Sequence, residues 1–347
     1  MSNQGFLLLI LHEEISADAR SDELDTLLQV EQIRGAMQAN GWRVETWAAG
    51  LDLEATRNAI SDSNPDCIFN LVESLAGVGK LIHFIPSLLA TLDYAYTGVD
   101  ADAMYLSSHK RLAKKIMRLN HIASAESFGL DDLLPAMDGK WIVKSVWEHA
   151  SFGMDDACVV TGAEAALARI DYCKQLHAGE WFAERYIQGR EFNVSVLEVD
   201  GQAKILPIAE ICFANYPEGK PQIVSYDAKW REQTFEYQAT QRIFPALSSA
   251  EISEINALVL LCWQAFQLTS YARIDIRCDE AGKPWVLEIN ANPCLTQDAG
   301  FAAASYQAGM SYLQVIETII KESMSSRAKG QHSDAGMLPS SLAASAA

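Results

Sequence analysis

Tyr271-Ala-Arg-Ile-Asp-Ile-Arg277, followed by Val286-Leu-Glu-Ile-Asn-Ala-Asn-Pro-Cys294, reads as two strands that alternate apolar and polar residues, joined by the turn signal Asp279-Glu-Ala-Gly282. On a strand, residues two apart share a face. Arg273 and Asp275 therefore project together, as do Glu288 and Asn290, while Ile274, Ile276, Leu287 and Ile289 point into a core. Three hard oxygen donors, from Asp275, Glu288 and Asn290, converge on one face. Such donors suit magnesium or manganese, ions that keep several waters and bind nucleotide phosphates. Alone, the same pattern describes an ordinary hairpin with a solvated polar face; the rest of the chain decides between the two readings.

The chain has 347 residues, 49% of them hydrophobic, which suffices for two or three compact units. Its net charge of −18 argues against nucleic acid or an anionic membrane as partner, since both reward excess Lys and Arg. No apolar run reaches membrane-spanning length, and the opening segment Phe6 to Leu11 lacks a basic flank, so it reads as a first strand. The seven cysteines form no CxxC pair and the histidines have no ligand spacing, which suits reduced thiols in the cytoplasm and argues against a zinc site. A homodimer is left open.

The first third alternates strand and helix: strand Phe6 to Leu11, helix Asp22 to Ala39, strand Trp42 to Trp47, helix Asp52 to Ser61, strand Asp66 to Val72. That order implies a parallel α/β layer, with ligands gathering at the carboxyl ends of its strands. Gly77 and Gly79 then give a weak anion-site signal. One helix is expected from Ala101 to Leu119, carrying the basic run Lys110, Arg111, Lys114 and Lys115, whose plain interpretation is a solvated face. Lys144 lies on the apolar strand Lys140 to Ser145 and needs an anionic partner, and the loop from Trp147 to Asp155 can close over a phosphate through backbone amides. The stretch Trp181 to Val199 reads as a strand broken at Gln188-Gly189, with a second strand from Ala203 to Glu210. Residues 215–244 read as a polar, irregular lid, and Ser248 opens a helix through a capping box with Glu251.

Taken together, Lys110, Lys144, the Ser151 loop, Glu184, Glu191, Lys229 and the hairpin set Arg273, Asp275, Glu288 and Asn290 resemble the ATP-grasp superfamily, and within it the D-alanine:D-alanine ligase family. The resemblance runs from about Ile68 to Met324. It implies an α/β protein with an N-terminal parallel α/β domain (1–98), a central ATP-grasp subdomain (99–183), a C-terminal subdomain with lid and metal site (184–325) and a disordered tail (326–347). It implies an ATP-dependent carboxylate–amine ligase working through an acyl phosphate on small-molecule substrates. Lys110 and Lys144 would bind the ATP phosphates, Glu184 and Glu191 the adenine and ribose, with Arg185, Tyr186, Ile187 and Leu287 completing the nucleotide site. Asp275, Glu288 and Asn290 would hold magnesium (or manganese). Arg273 would face the charge that develops during amide formation, Lys229 would ride on the lid, and Ser151 would serve in the phosphate loop.

The departures concern the amino-acid side. His12-Glu13-Glu14 stands where the family has a glycine-rich loop with a substrate-binding glutamate. Ala150 and Trp230 replace a serine and a lid tyrosine, Ala299 a serine that holds the second carboxylate, and Cys294 a glycine. Substrates other than two D-alanines are therefore expected. The competing readings are a D-alanine ligase with a drifted pocket, a regulatory protein that binds ATP without catalysis, and an ATP-grasp carboxylase, the last disfavoured because nothing marks a biotin or bicarbonate partner.

Overall fold

The computed structural model describes residues 5–16, 19–133 and 138–334. The opening run Leu7-Leu-Leu-Ile-Leu is buried on both faces, as a central parallel strand requires. It forms β1 (Leu7–Glu13) in a four-stranded sheet of order β2-β1-β3-β4, with β2 (Arg43–Ala49), β3 (Cys67–Asn70) and β4 (Ala95–Tyr96) all pairing parallel. The connecting helices are α1 (Ser21–Ala39), α2 (Leu53–Ser63) and α3 (Phe84–Ala90). Asp52 caps α2 by accepting from the Ala55 amide, and Asn64 ends it in the left-handed conformation.

The basic segment is two helices, α4 (Ala101–Ser108) and α5 (Lys110–Leu119), where a single helix was expected. The break falls at His109, whose backbone leaves the helical region (φ −78°, ψ 88°) and whose ring accepts from the Leu112 amide as the cap of α5. The chain turn places Lys110 in the first turn of a new helix, with its backbone amide donating to the Val146 carbonyl.

A second four-stranded sheet has the order β5-β8-β6-β7, from β5 (Ser127–Phe128), β6 (Lys140–Ser145), β7 (Val159–Thr161) and β8 (Trp181–Arg185), and is backed by α6 (Ala163–His177). The six-stranded sheet contains β9 (Gly189–Val199), β10 (Gln202–Ile205), β11 (Ala209–Phe213), β12 (Thr240–Ile243), β13 (Tyr271–Asp279) and β14 (Pro284–Asn290), in the order β12-β11-β9-β13-β14 with β10 on the other part of β9. The expected broken strand is thus two strands of different sheets. Residues 186–188 carry the chain across, so the subdomain boundary expected at 183/184 cuts through β8, which ends at Arg185. The strand expected from Ala203 to Glu210 is likewise two, β10 and β11, which pair with different stretches of β9.

Residues 215–244 hold the short helices α7 (Tyr226–Trp230) and α8 (Phe235–Ala239) and edge strand β12, more order than the irregular segment expected there. The capping box at Ser248 opens α9 (Ser249–Ala265). The chain then passes through α10 (Gly300–Gln307) to α11 (Tyr312–Asp334), which continues through the start of the expected tail at 326. The rest of that tail, 335–347, lies outside the described residues.

Candidate active site

The β13–β14 register sets Arg273 opposite Asn290 and Asp275 opposite Glu288, then shifts by a bulge between Asp275 and Ile276. Pleat and register thus place all four polar side chains on one face. Asp275 accepts from Arg273 Nε (2.7 Å) and Nη2 (2.9 Å), from Asn290 Nδ2 (3.0 Å), and from Asn193 Nδ2 on β9 (2.8 Å). The bidentate pair fixes the guanidinium plane. Burial pushes the Asp275 carboxyl above its ordinary value against the pull of Arg273.

Across the cavity stand the lysines. Lys110 is 6% exposed; its Nζ donates to the Glu148 carbonyl (2.7 Å) and lies 3.7 Å from Glu288 Oε2. Burial lowers its pKa despite Glu288. Lys144 pairs with Glu184 at 2.7 Å, and Lys114 takes the other Glu184 oxygen at 2.5 Å. Burial opposes both charges of the Lys144–Glu184 pair, yet mutual attraction wins: Lys144 is held above its ordinary value and Glu184 below. Burial likewise works against Glu288, but Lys110 and Lys144 keep its carboxylate ionised down to about 2. Lys114, read from the sequence as part of a solvated face, is therefore a buried member of an ionic triad.

The crossing between the two sheets carries the remaining nucleotide candidates. Arg185 lies 4.7 Å over the Trp141 ring and donates to the Asp138 carbonyl (3.1 Å); the Tyr186 hydroxyl donates to the Gln222 carbonyl (3.2 Å). Glu191 accepts from Arg277 Nε (3.1 Å) and Nη2 (2.7 Å), while Arg277 Nη1 donates to the Ile187 carbonyl (3.0 Å). Arg277 went unassigned in the sequence, although the period-two spacing that joins Arg273 to Asp275 extends to it.

The loop after β6 is locked. Ala150 (φ 58°) and Ser151 (φ 62°) both take the left-handed conformation, which is strained for residues with a Cβ. The Ser151 hydroxyl donates to the Val224 carbonyl (2.7 Å) and Trp230 Nε1 donates to the Ala150 carbonyl (3.1 Å), so the lid segment is closed on this loop. Lys229 precedes that tryptophan and also lines the cavity. The Gly79 amide donates to Glu148 Oε1 (3.3 Å), so the weak anion signal at Gly77 and Gly79 is met by a carboxylate of the protein itself.

A single cavity of about 490 Å³ is lined by every residue expected from the sequence: Lys110, Lys144, Ser151, Glu184, Arg185, Tyr186, Ile187, Glu191, Lys229, Arg273, Asp275, Leu287, Glu288 and Asn290. The cavity is also lined by His149 on the phosphate loop and Cys294 after β14, and by Asp25, Glu73 and Arg242, for which the sequence offered no local signal. Glu13, in the expected substitute for the first loop, is buried, accepting from Thr26 Oγ1 (3.0 Å) and the Glu73 amide (3.3 Å). Among the described residues no three His, Cys, Asp or Glu side chains form a closed metal cage. Two carboxylates and one amide, in the cavity that Lys110 and Lys144 also line, are instead the open donor set that magnesium accepts. Among the described residues no helix is long and apolar enough to cross a membrane.

Comparison with known proteins gives concordant results. The profile of the family described as D-ala D-ala ligase C-terminus matches residues 135–321. The chain is 28% identical over 246 residues to a D-alanine--D-alanine ligase of Acinetobacter baumannii, covering 69% of this chain and 75% of that protein. It is 28% identical over 303 residues to a D-alanine--D-alanine ligase of Parvibaculum lavamentivorans, covering 84% and 90%. The fold matches a D-alanine--D-alanine ligase of Bacillus anthracis solved in complex with ATP, with a TM-score of 0.73 at 18% identity, over 94% of this chain and 100% of that one.

Proposed function

We propose, from the premise that this chain belongs to the D-alanine:D-alanine ligase family of ATP-grasp proteins and is an ATP-dependent ligase that forms carbon–nitrogen bonds, that it joins a carboxylate to an amine through an acyl phosphate, using substrates other than two D-alanines. The observation that carries this reading is the meeting of buried Lys110 and Lys144, ionised Glu288 and anchored Arg273 in one cavity.

A carboxylate is a poor electrophile, so ATP first phosphorylates it. The amine then attacks the acyl carbon, the carbon–nitrogen bond forms, and phosphate leaves with the former carboxylate oxygen. Lys110 and Lys144 would bind the ATP phosphates, and the Glu184 clamp keeps Lys144 charged for that task. Lys229 would approach the same phosphates from the lid, over the loop that Ser151 ties down. Arg273, immobilised by Asp275, would stabilise the tetrahedral oxyanion, an effect worth about 3 kcal/mol per donor. Arg185, Tyr186, Ile187, Glu191 and Leu287 would surround the nucleoside. Asp275, Glu288 and Asn290 would hold magnesium or manganese, which when bound supplies neutralisation of the phosphoryl charge.

Substrate choice rests on the remaining lining of the cavity. Trp230 spends its one polar atom on the Ala150 carbonyl, so the indole offers only apolar surface where a tyrosine would offer a hydroxyl. Ala299 leaves the start of α10 without a side-chain cap. Asp25 and Glu73 line the cavity as carboxyls whose ionisation burial disfavours, so they would offer a substrate hydrogen bonds rather than a strongly anionic surface. The seven cysteines are all free, which supports a reducing compartment such as the cytoplasm.

The test is phosphate release from ATP across a panel of carboxylates and amines. Turnover is expected for a pair outside D-alanine, with D-alanine alone at background. Robust D-alanyl-D-alanine synthesis by the purified protein, seen by mass spectrometry, would overturn the substrate assignment.

A further inference from the structure

His149 lies on the locked loop and lines the cavity. Its Nε2 is shielded from solvent and has no hydrogen-bond partner among the described residues. The charged groups that face it come from four elements: Lys110 on α5, Glu288 on β14, Lys229 on α7 and Arg273 on β13. Burial first, and the three cations next, push its pKa down to about 3, so the imidazole is neutral. A buried nitrogen left unpaired is costly, and a cluster of three cations marks where an anionic group will sit. The loop cannot easily swing the ring away, because Trp230 and Val224 hold the two residues that follow it.

We propose that His149 is a further catalytic residue, its Nε2–H donating to an oxygen of the terminal phosphoryl group of ATP and remaining on that group as it passes to the carboxylate. The imidazole adds a directed hydrogen bond beside the three cations. The assignment rests on the ATP-dependent ligase reading, so its test uses nucleotide binding, which needs no knowledge of the other substrates.

His149→Phe keeps a planar ring and removes the polar atoms; His149→Gln returns an N–H at similar reach. Each variant and the parent are titrated calorimetrically with the imido analogue of ATP and with ADP, both with magnesium. His149→Phe is expected to lose about tenfold in affinity for the analogue, with ADP affinity held within about twofold, and His149→Gln to recover most of the loss. Unchanged analogue binding in His149→Phe overturns the proposal. Equal losses for both nucleotides also overturn it, since the ring would then only shape the loop. A parent protein that binds neither nucleotide overturns the ATP reading itself.

Discussion

The Glu73 carboxyl is pushed up to about 8, by burial first and then by Glu13 and Asp25, against the pull of Lys229 and a hydrogen bond with Gln29. Its ordinary value is 4.5, so folding raises the pKa of an acid, and the native state loses stability as pH climbs from 4.5 towards about 8. Glu73→Gln keeps a hydrogen-bonding side chain and removes that ionisation. The variant should melt with the parent at pH 4 and above it at pH 8, by on the order of 5 °C. Coincident melting curves at both pH values would show that the carboxyl is already solvated in the native protein. Glu73 also illustrates what the sequence could not reveal. Arg273, Asp275, Glu288 and Asn290 were legible because two adjacent strands with period two place them on one face. Glu73 follows β3, Asp25 lies on α1 and His149 follows β6, and only tertiary packing brings them to one cavity. Lys114 and Arg277 were closer to hand, one helical turn from Lys110 and one strand repeat from Asp275. Their partners, Glu184 and Glu191, lie elsewhere in the chain, which is why a charged residue with ordinary spacing looked solvated.

At the level of elements, patterning gave types well and partners poorly. β6 falls where the apolar run Lys140 to Ser145 puts it, and the Ser248 capping box opens α9 as read. The run from Trp181 to Val199 reads as one strand broken at Gln188-Gly189, yet its two parts pair in different sheets, a choice made by neighbours distant in sequence. The lid likewise conceals α7 and α8, each a single short turn-and-a-half that packs against the other and carries too few residues to show a period. The lid meets the phosphate loop through hydrogen bonds from Trp230 Nε1 and Ser151 Oγ and from the Tyr226 amide to the Met154 carbonyl (3.0 Å). Bound ligand is expected to tighten this closure further, since it would contact both the lid and the loop. Hydrogen exchange over residues 215–231 should therefore slow when an ATP analogue and magnesium are added. Exchange that is unchanged in that segment would show that the lid is permanently shut.

The whole molecule is knitted by a core that ignores chain order. Leu8, Ile10, Val30 and Ile33 of the first sheet and its helix pack with Leu197 and Tyr271 of the large sheet, and with Phe301, Val315, Ile316 and Ile319 from the end of the chain. Ile316 is fully buried there. Ile316→Ala should cost about 3 kcal/mol. Because the cluster is shared, amides of both β1 and β9 should lose protection in native-state hydrogen exchange; loss confined to β1 would show two independent cores. The fold class was legible from the sequence through the alternating first third and the loaded hairpin, but this shared core was not, because α11 carries no mark of which sheet it will cover. The same arrangement constrains the protein's birth. The parallel sheet is made well before α11, which covers its flank, so the nascent chain must hold an apolar surface exposed while everything between the two is synthesised. For this protein, translation time is also exposure time, and a chaperone able to cover that flank before Ile316 arrives would act on yield without touching the finished fold.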